Sequence, residues 1–78
     1  RRYLVVFKKN DLVRPTAVVG AGGLGKLVKK RDLGQVLKTS TLDYGQGRVL
    51  QKVQVLWLTG ECVGVTSILN YRTLEHAS

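Results

Sequence analysis

The residues best equipped for chemistry are gathered in one stretch, TAVVGAGGLGKLVKKR, residues 16–31. Gly20, Gly22 and Gly25 satisfy a G-x-G-x-x-G spacing, and Lys26 follows at once. Glycines so placed let a backbone approach a pyrophosphate at a helix N-terminus, inside a βαβ unit with an acidic residue about 20 positions further on. Asp43 is the candidate for that acid, yet it sits in a stretch of loop composition, and Lys26-Leu27-Val28-Lys29-Lys30-Arg31 is poor material for the required helix. The phosphate-loop alternative, G-x-x-x-x-G-K-[ST], matches Gly20, Gly25 and Lys26 but has Leu27 where a metal-binding hydroxyl belongs. The glycines therefore read as a tight bend with positive φ, and no cofactor is expected.

Charge is the stronger signal. Lys26, Lys29, Lys30 and Arg31, with Lys38 and Arg48 as further members, have the character of a phosphate-contacting set, for which affinity falls as salt rises. The same residues also suit the solvated face of a strand. Tyr44, in a glycine-flanked loop, is the aromatic best placed for an exposed contact, whereas Trp57 falls on an apolar face and reads as core. Catalysis has little support: His76 is the lone histidine and lies near the end of the chain. Cys62, also alone, forms no intrachain disulfide or zinc framework and has no basic neighbour to activate it, so it reads as a small buried or half-buried strand residue. The five acidic residues show no paired spacing for metal binding or glycosidase chemistry. An enzyme is not expected.

Seventy-eight residues provide for one small domain with a single hydrophobic cluster, and 44% apolar residues argue that it folds. Thirteen Lys and Arg against five Asp and Glu give a net charge of +8, which favours anionic partners. The longest apolar runs, such as residues 53–58, fall far short of the roughly 20 residues that span a bilayer, and no signal-peptide pattern follows Arg1-Arg2. A soluble, non-secreted protein in a reducing compartment is expected, with no membrane partner. The sequence contains no methionine, so its start reads as omitted, trimmed or processed.

The elements that must position these residues read as strands. Residues 3–7, Tyr-Leu-Val-Val-Phe, form a strand-like run, with residues 1–9 expected to act as an arm or edge strand and residues 10–78 as the domain. Pro15 ends a short strand at Leu12-Val13. Residues 24–31 are expected to form an amphipathic strand, residues 35–38 another, and residues 39–47, with two glycines and Ser, Thr and Asp, a surface loop. The clearest pattern spans residues 49–58, where Val49, Val53, Val55 and Trp57 share one face and Lys52 and Gln54 the other. Thr59-Gly60 then has the spacing of a two-residue hairpin leading to a strand over residues 61–65, with Val63 and Val65 beside Val55 and Trp57. Residues 68–72 suit one helical turn, and residues 73–76 a closing strand. Five or six short strands with glycine-rich turns point to an all-β fold, a small SH3-like antiparallel barrel.

Two resemblances accompany this reading. Asn10-Asp11-Leu12-Val13-Arg14 followed by Gly23-Leu24-Gly25-Lys26-Leu27-Val28 resembles the opening of SH3-like and KOW-type barrels. Val53-Gln54-Val55-Leu56-Trp57-Leu58-Thr59-Gly60 followed by Asn70-Tyr71-Arg72-Thr73-Leu74-Glu75 is similar to the ending of small SH3-like proteins of tailed bacteriophages. The first implies nucleic-acid or ribosome contact; the second implies a virion structural or accessory component, in the particle or the host cytoplasm. The expectation is a binding and assembly module that docks on a larger protein assembly such as a viral shell, with Arg1, Arg2 and Tyr3 as an assembly arm and self-association adding burial. The alternative is nucleic-acid binding through Lys26, Lys29, Lys30 and Arg31.

Overall fold

Alternating apolar residues dictate the longest strands, and a computed structural model, describing residues 7–20 and 25–77, shows how they pair. The elements are β1 (Leu12–Pro15), β2 (Val19–Gly20), β3 (Leu27–Val28), β4 (Gly34–Gly45), β5 (Arg48–Trp57), β6 (Thr66–Asn70), a 3-10 turn (Tyr71–Thr73) and β7 (Leu74–His76). One antiparallel sheet runs in the order β6-β5-β4-β1-β7, and β2 and β3 form a separate two-stranded ladder. The protein is thus all-β in character. Among the described residues the five-stranded sheet is open, with β6 and β7 as its edges rather than partners.

The period of two along β5 buries Gln51, Val53, Val55 and Trp57 on one face. Phe7, Val13, Val28, Val36, Cys62 and Leu74 complete the core around them, with Val19, Val65, Leu69 and Tyr71 packed at its margin. Each fully buried aliphatic or aromatic side chain contributes about 1.5–3 kcal/mol by leaving water. Phe7, within the stretch read as an arm, belongs to this core; residues 1–6, including Arg1, Arg2 and Tyr3 and most of the expected first strand, lie outside the described residues.

Four expectations are corrected. Residues 39–47 are not a loop: β4 continues to Gly45 and pairs with β5 in a ladder from Gly34↔Trp57 to Gly45↔Arg48, closed by Gln46-Gly47. Both turn residues have positive φ, 56° and 76°, the backbone that a two-residue hairpin requires. Of the strand expected over residues 24–31, the described residues 25–31 keep only Leu27–Val28, with Lys30 and Arg31 in the turn that precedes Asp32; residue 24 lies outside the described residues. The strand expected at residues 61–65 is a turn, because Gly60 and Gly64 adopt positive φ, and Val63 is exposed instead of packing beside Val55. Buried Cys62 therefore sits in a turn and not in a strand. Residues 68–70 belong to β6, leaving the helical turn to Tyr71–Thr73.

Candidate functional site

Beyond the core, β4 and β5 project as a hairpin. A register shift between Val36 and Lys38 bends β4 away from β1, whose last partner on it is Gln35. The backbone bonds from Asn10 N–H to Val36 O (2.8 Å) and from Val36 N–H to Asp11 O (2.9 Å) close that junction. From residue 38 to 45 every β4 residue is exposed, and among the described residues no strand lies along the side of β4 that faces away from β5. The molecule measures 39 × 26 × 20 Å, and this hairpin is its longest ladder.

The sheet register sorts the hairpin's side chains into two faces. Lys38, Ser40 and Leu42 stand opposite Gln54, Lys52 and Leu50, and on the other side of β5, Ile68 and Asn70 stand opposite Gln54 and Lys52. Directly opposed residues share a face, and this one is the reverse of the face that buries Gln51, Val53 and Val55. Arg48 joins it by alternation from Leu50. At the hairpin tip a groove of about 640 Å³, lined by Tyr44, Arg48, Val49 and Leu50 of the hairpin and by Asn70, Tyr71 and Arg72, runs along the edge of β5 beyond the end of β6.

The far wall of the groove is set by local chemistry. Asn70 caps the 3-10 turn, its Oδ1 accepting from Arg72 N–H at 3.0 Å, while Thr73 Oγ1 donates to Asn70 O at 2.8 Å. Arg72 Nε donates to Tyr71 Oη at 3.3 Å, and its guanidinium carbon lies 5.8 Å from the Tyr71 ring centre. That hydrogen bond, with the added attraction of the phenol oxygen, raises the Arg72 pKa above its ordinary value. On the near wall, Tyr44 is 65% exposed, and Asp43 Oδ1 accepts from Gly45 N–H at 2.7 Å to brace the turn.

Of the residues singled out in the sequence, Lys38, Tyr44 and Arg48 come together on this hairpin. Lys26, Lys29, Lys30 and Arg31 lie elsewhere, around β3 and its following turn. Asp32 organises that turn, its Oδ2 accepting from Lys29 N–H at 2.9 Å, and Lys29 Nζ approaches Glu61 at 3.9 Å, with both side chains about half exposed. An exposed pair of that kind contributes little. Tyr71 is among the few aromatics the sequence offers for stacking, but sequence reasoning missed Lys52, Asn70 and Arg72 as members of the site; only the alternation that puts Lys52 opposite the core face pointed toward one of them.

Other chemistry-bearing groups are scattered. His76 Nε2 lies 3.4 Å from Asp11 Oδ2, and its ring packs on Phe7 at a 4.6 Å centroid separation. Asp11 Oδ2 also accepts from Lys8 N–H at 2.8 Å. Among the described residues there is no group of three or more His, Cys, Asp or Glu able to hold a metal ion, and no helix long and apolar enough to cross a membrane. After Gly25 the chain forms β3 and a turn, not the helix that a dinucleotide fingerprint calls for; residues 21–24 of the glycine run lie outside the described residues. Comparison with protein-family models, with curated proteins and with solved structures gives no match.

Proposed function

We infer that the chain is a non-enzymatic binding and assembly module, a structural or accessory protein of the tailed-bacteriophage type, that docks onto a larger assembly through its β4–β5 hairpin. The observation that carries this reading is the edge of β4 over residues 38–45, all of them exposed and unpaired on that side among the described residues. An unpaired strand edge presents a row of N–H and C=O groups to an incoming strand, so affinity comes from the main chain and specificity from alternate side chains. Lys38 and Asp43 are the only charged residues along that edge, a thin guard against pairing.

The order of elements supports the SH3-like part of the reading: a first strand, a small two-stranded excursion, a three-stranded meander, a 3-10 turn, and a last strand returning to the first. On this reading the working compartment is the virion or the host cytoplasm. A nucleic-acid partner is favoured by a different feature, the cationic outer face of the same hairpin.

Sizing of the purified protein, alone and mixed with the products of genes adjacent to its own, tests the docking reading. The expected result is a complex, with a partner or with a second copy, in which the amides of residues 38–45 gain protection from hydrogen exchange. A strict monomer that binds none of those products overturns it.

A further inference from the structure

The outer face of the β4–β5–β6 region has a composition that strand addition at the β4 edge does not use. It carries Lys38, Arg48 and Lys52, with Arg72 at its rim across the groove. Four of the five acidic residues lie elsewhere: Asp11 contacts His76, Asp32 is buried, Glu61 approaches Lys29, and Glu75 stands opposite Arg14 on β7. Asp43 is at the hairpin tip, opposite Val49, with its Oδ1 engaged by Gly45 N–H. The positive charge of a +8 molecule therefore outweighs the negative here.

Charge alone would suit any polyanion; the aromatic residues narrow the choice. Tyr44, exposed, and Tyr71, half-buried at the core margin, both line the groove, and the Leu42↔Leu50 pair gives this face an apolar platform beside it. Asn70 uses its Oδ1 on the backbone of Arg72, which leaves its amide NH₂ to donate outward. A duplex keeps its base faces stacked inside and offers nothing to a tyrosine ring, and an acidic peptide offers carboxylates without flat partners. A single strand supplies both, because phosphates follow a cationic track while unstacked bases lie on aromatic rings.

We propose that this face, centred on the groove between the hairpin tip and the 3-10 turn, binds single-stranded nucleic acid. Arg48, Arg72, Lys52 and Lys38 run along the phosphates, and the exposed Tyr44 stacks on a base, with half-buried Tyr71 forming part of the groove wall. Docking uses the backbone edge of β4 and strand binding its side chains, Lys38 and Tyr44 lying in the same segment, so complex formation and oligonucleotide binding are read as two separate measurements.

Fluorescence anisotropy of the intact protein with a short labelled oligothymidylate, with polyglutamate as competitor, tests the assignment at several salt concentrations. Oligothymidylate binding that weakens with salt and resists polyglutamate is expected. Tyr44→Ala should weaken it at least about fivefold, since stacking of a base is worth that much or more. Arg48→Ala and Arg72→Ala should each lower the slope of log affinity against log salt by about 0.7. Tyr44, Arg48 and Arg72 are all exposed, and the emission of buried Trp57 reports whether each variant keeps its fold. Three outcomes overturn the proposal: no binding, displacement by polyglutamate at equal charge, or arginine variants that weaken binding while Tyr44→Ala leaves it unchanged. Loss of binding in a Lys26/Lys29/Lys30/Arg31→Ala variant, with Arg48→Ala and Arg72→Ala unaffected, also overturns it by moving the site to the β3 turn.

Discussion

The Gln51 side chain serves Phe7 as a neighbouring strand would: its Nε2 donates to Phe7 O and its Oε1 accepts from Phe7 N–H, each at 3.2 Å. Both residues are buried, Gln51 to 5% exposure and Phe7 to 1%. A polar side chain on the core face of β5 thus satisfies backbone groups that no ladder reaches, and fixes the point where the chain enters the core.

Replacing Gln51 by leucine keeps the size of the side chain and orphans both Phe7 groups. Each buried unsatisfied group costs about 1–3 kcal/mol, so a loss of about 2–6 kcal/mol is expected for the two. Urea unfolding followed by Trp57 fluorescence measures it, and amide exchange at Phe7 should accelerate in the same variant. Parent-like stability would show that the Gln51 contacts contribute nothing net.

Gly34 stands opposite Trp57 across the β4–β5 ladder, and a Cβ at Gly34 would meet the Trp57 ring at 2.8 and 2.9 Å and a methyl of Val55 more closely still. Neither neighbour has room to give, since both are fully buried. Gly34→Ala is expected to destabilise by about 1–3 kcal/mol through overpacking. Gly20→Ala, where no atom of the described residues lies within 4 Å and φ is not positive, is the control, and its denaturation midpoint should stay near that of the parent. Equal midpoints for the two variants would refute the close-approach account.

Gln46 holds a φ of 56° at the first turn position, a conformation that costs an ordinary side chain about 1–2 kcal/mol and asparagine less. Gln46→Asn is therefore expected to raise the melting temperature, and Gln46→Val to lower it, with calorimetry as the measure. Neither change touches the core, so the heat capacity of unfolding should be unchanged. Should Gln46→Val match the parent, the turn is not strained in solution.

How much of this was legible in the sequence depended on burial. β5 declared itself because one of its faces is in the core, so Val53, Val55 and Trp57 recur at every second position. The outer half of β4 has both faces in solvent, leaving Thr39, Ser40, Thr41 and Asp43 with the composition of a loop; the pairing with β5 makes them a strand. Gln46-Gly47 lacks the Asn-Gly signal that would have marked the turn. The candidate site was obscured by the same cause. Lys52 and Arg72 are neighbours of Lys38 and Arg48 only through the register of three strands and a turn, whereas Lys26, Lys29, Lys30 and Arg31 are adjacent in sequence because an exposed turn tolerates charge. Val63 and Val65 alternate like a strand, yet the positive φ of Gly60 and Gly64 turns the chain there.

The docking edge can be tested with proline, since successive residues of a strand direct their N–H groups to opposite sides. Of the neighbours Ser40 and Thr41, one donates toward β5 and the other toward the free edge. Proline removes that donor, so Ser40→Pro and Thr41→Pro are expected to behave differently. The substitution facing β5 breaks a ladder bond and loosens the hairpin; the one facing outward leaves the thermal transition nearly intact and weakens only association through the edge. Measuring the melting temperature and the complex size for both variants separates folding from docking. Loss of the complex in the variant that retains the parental transition is the expected outcome. Retention of the complex by that variant would show that a partner grips side chains and not the backbone edge of β4.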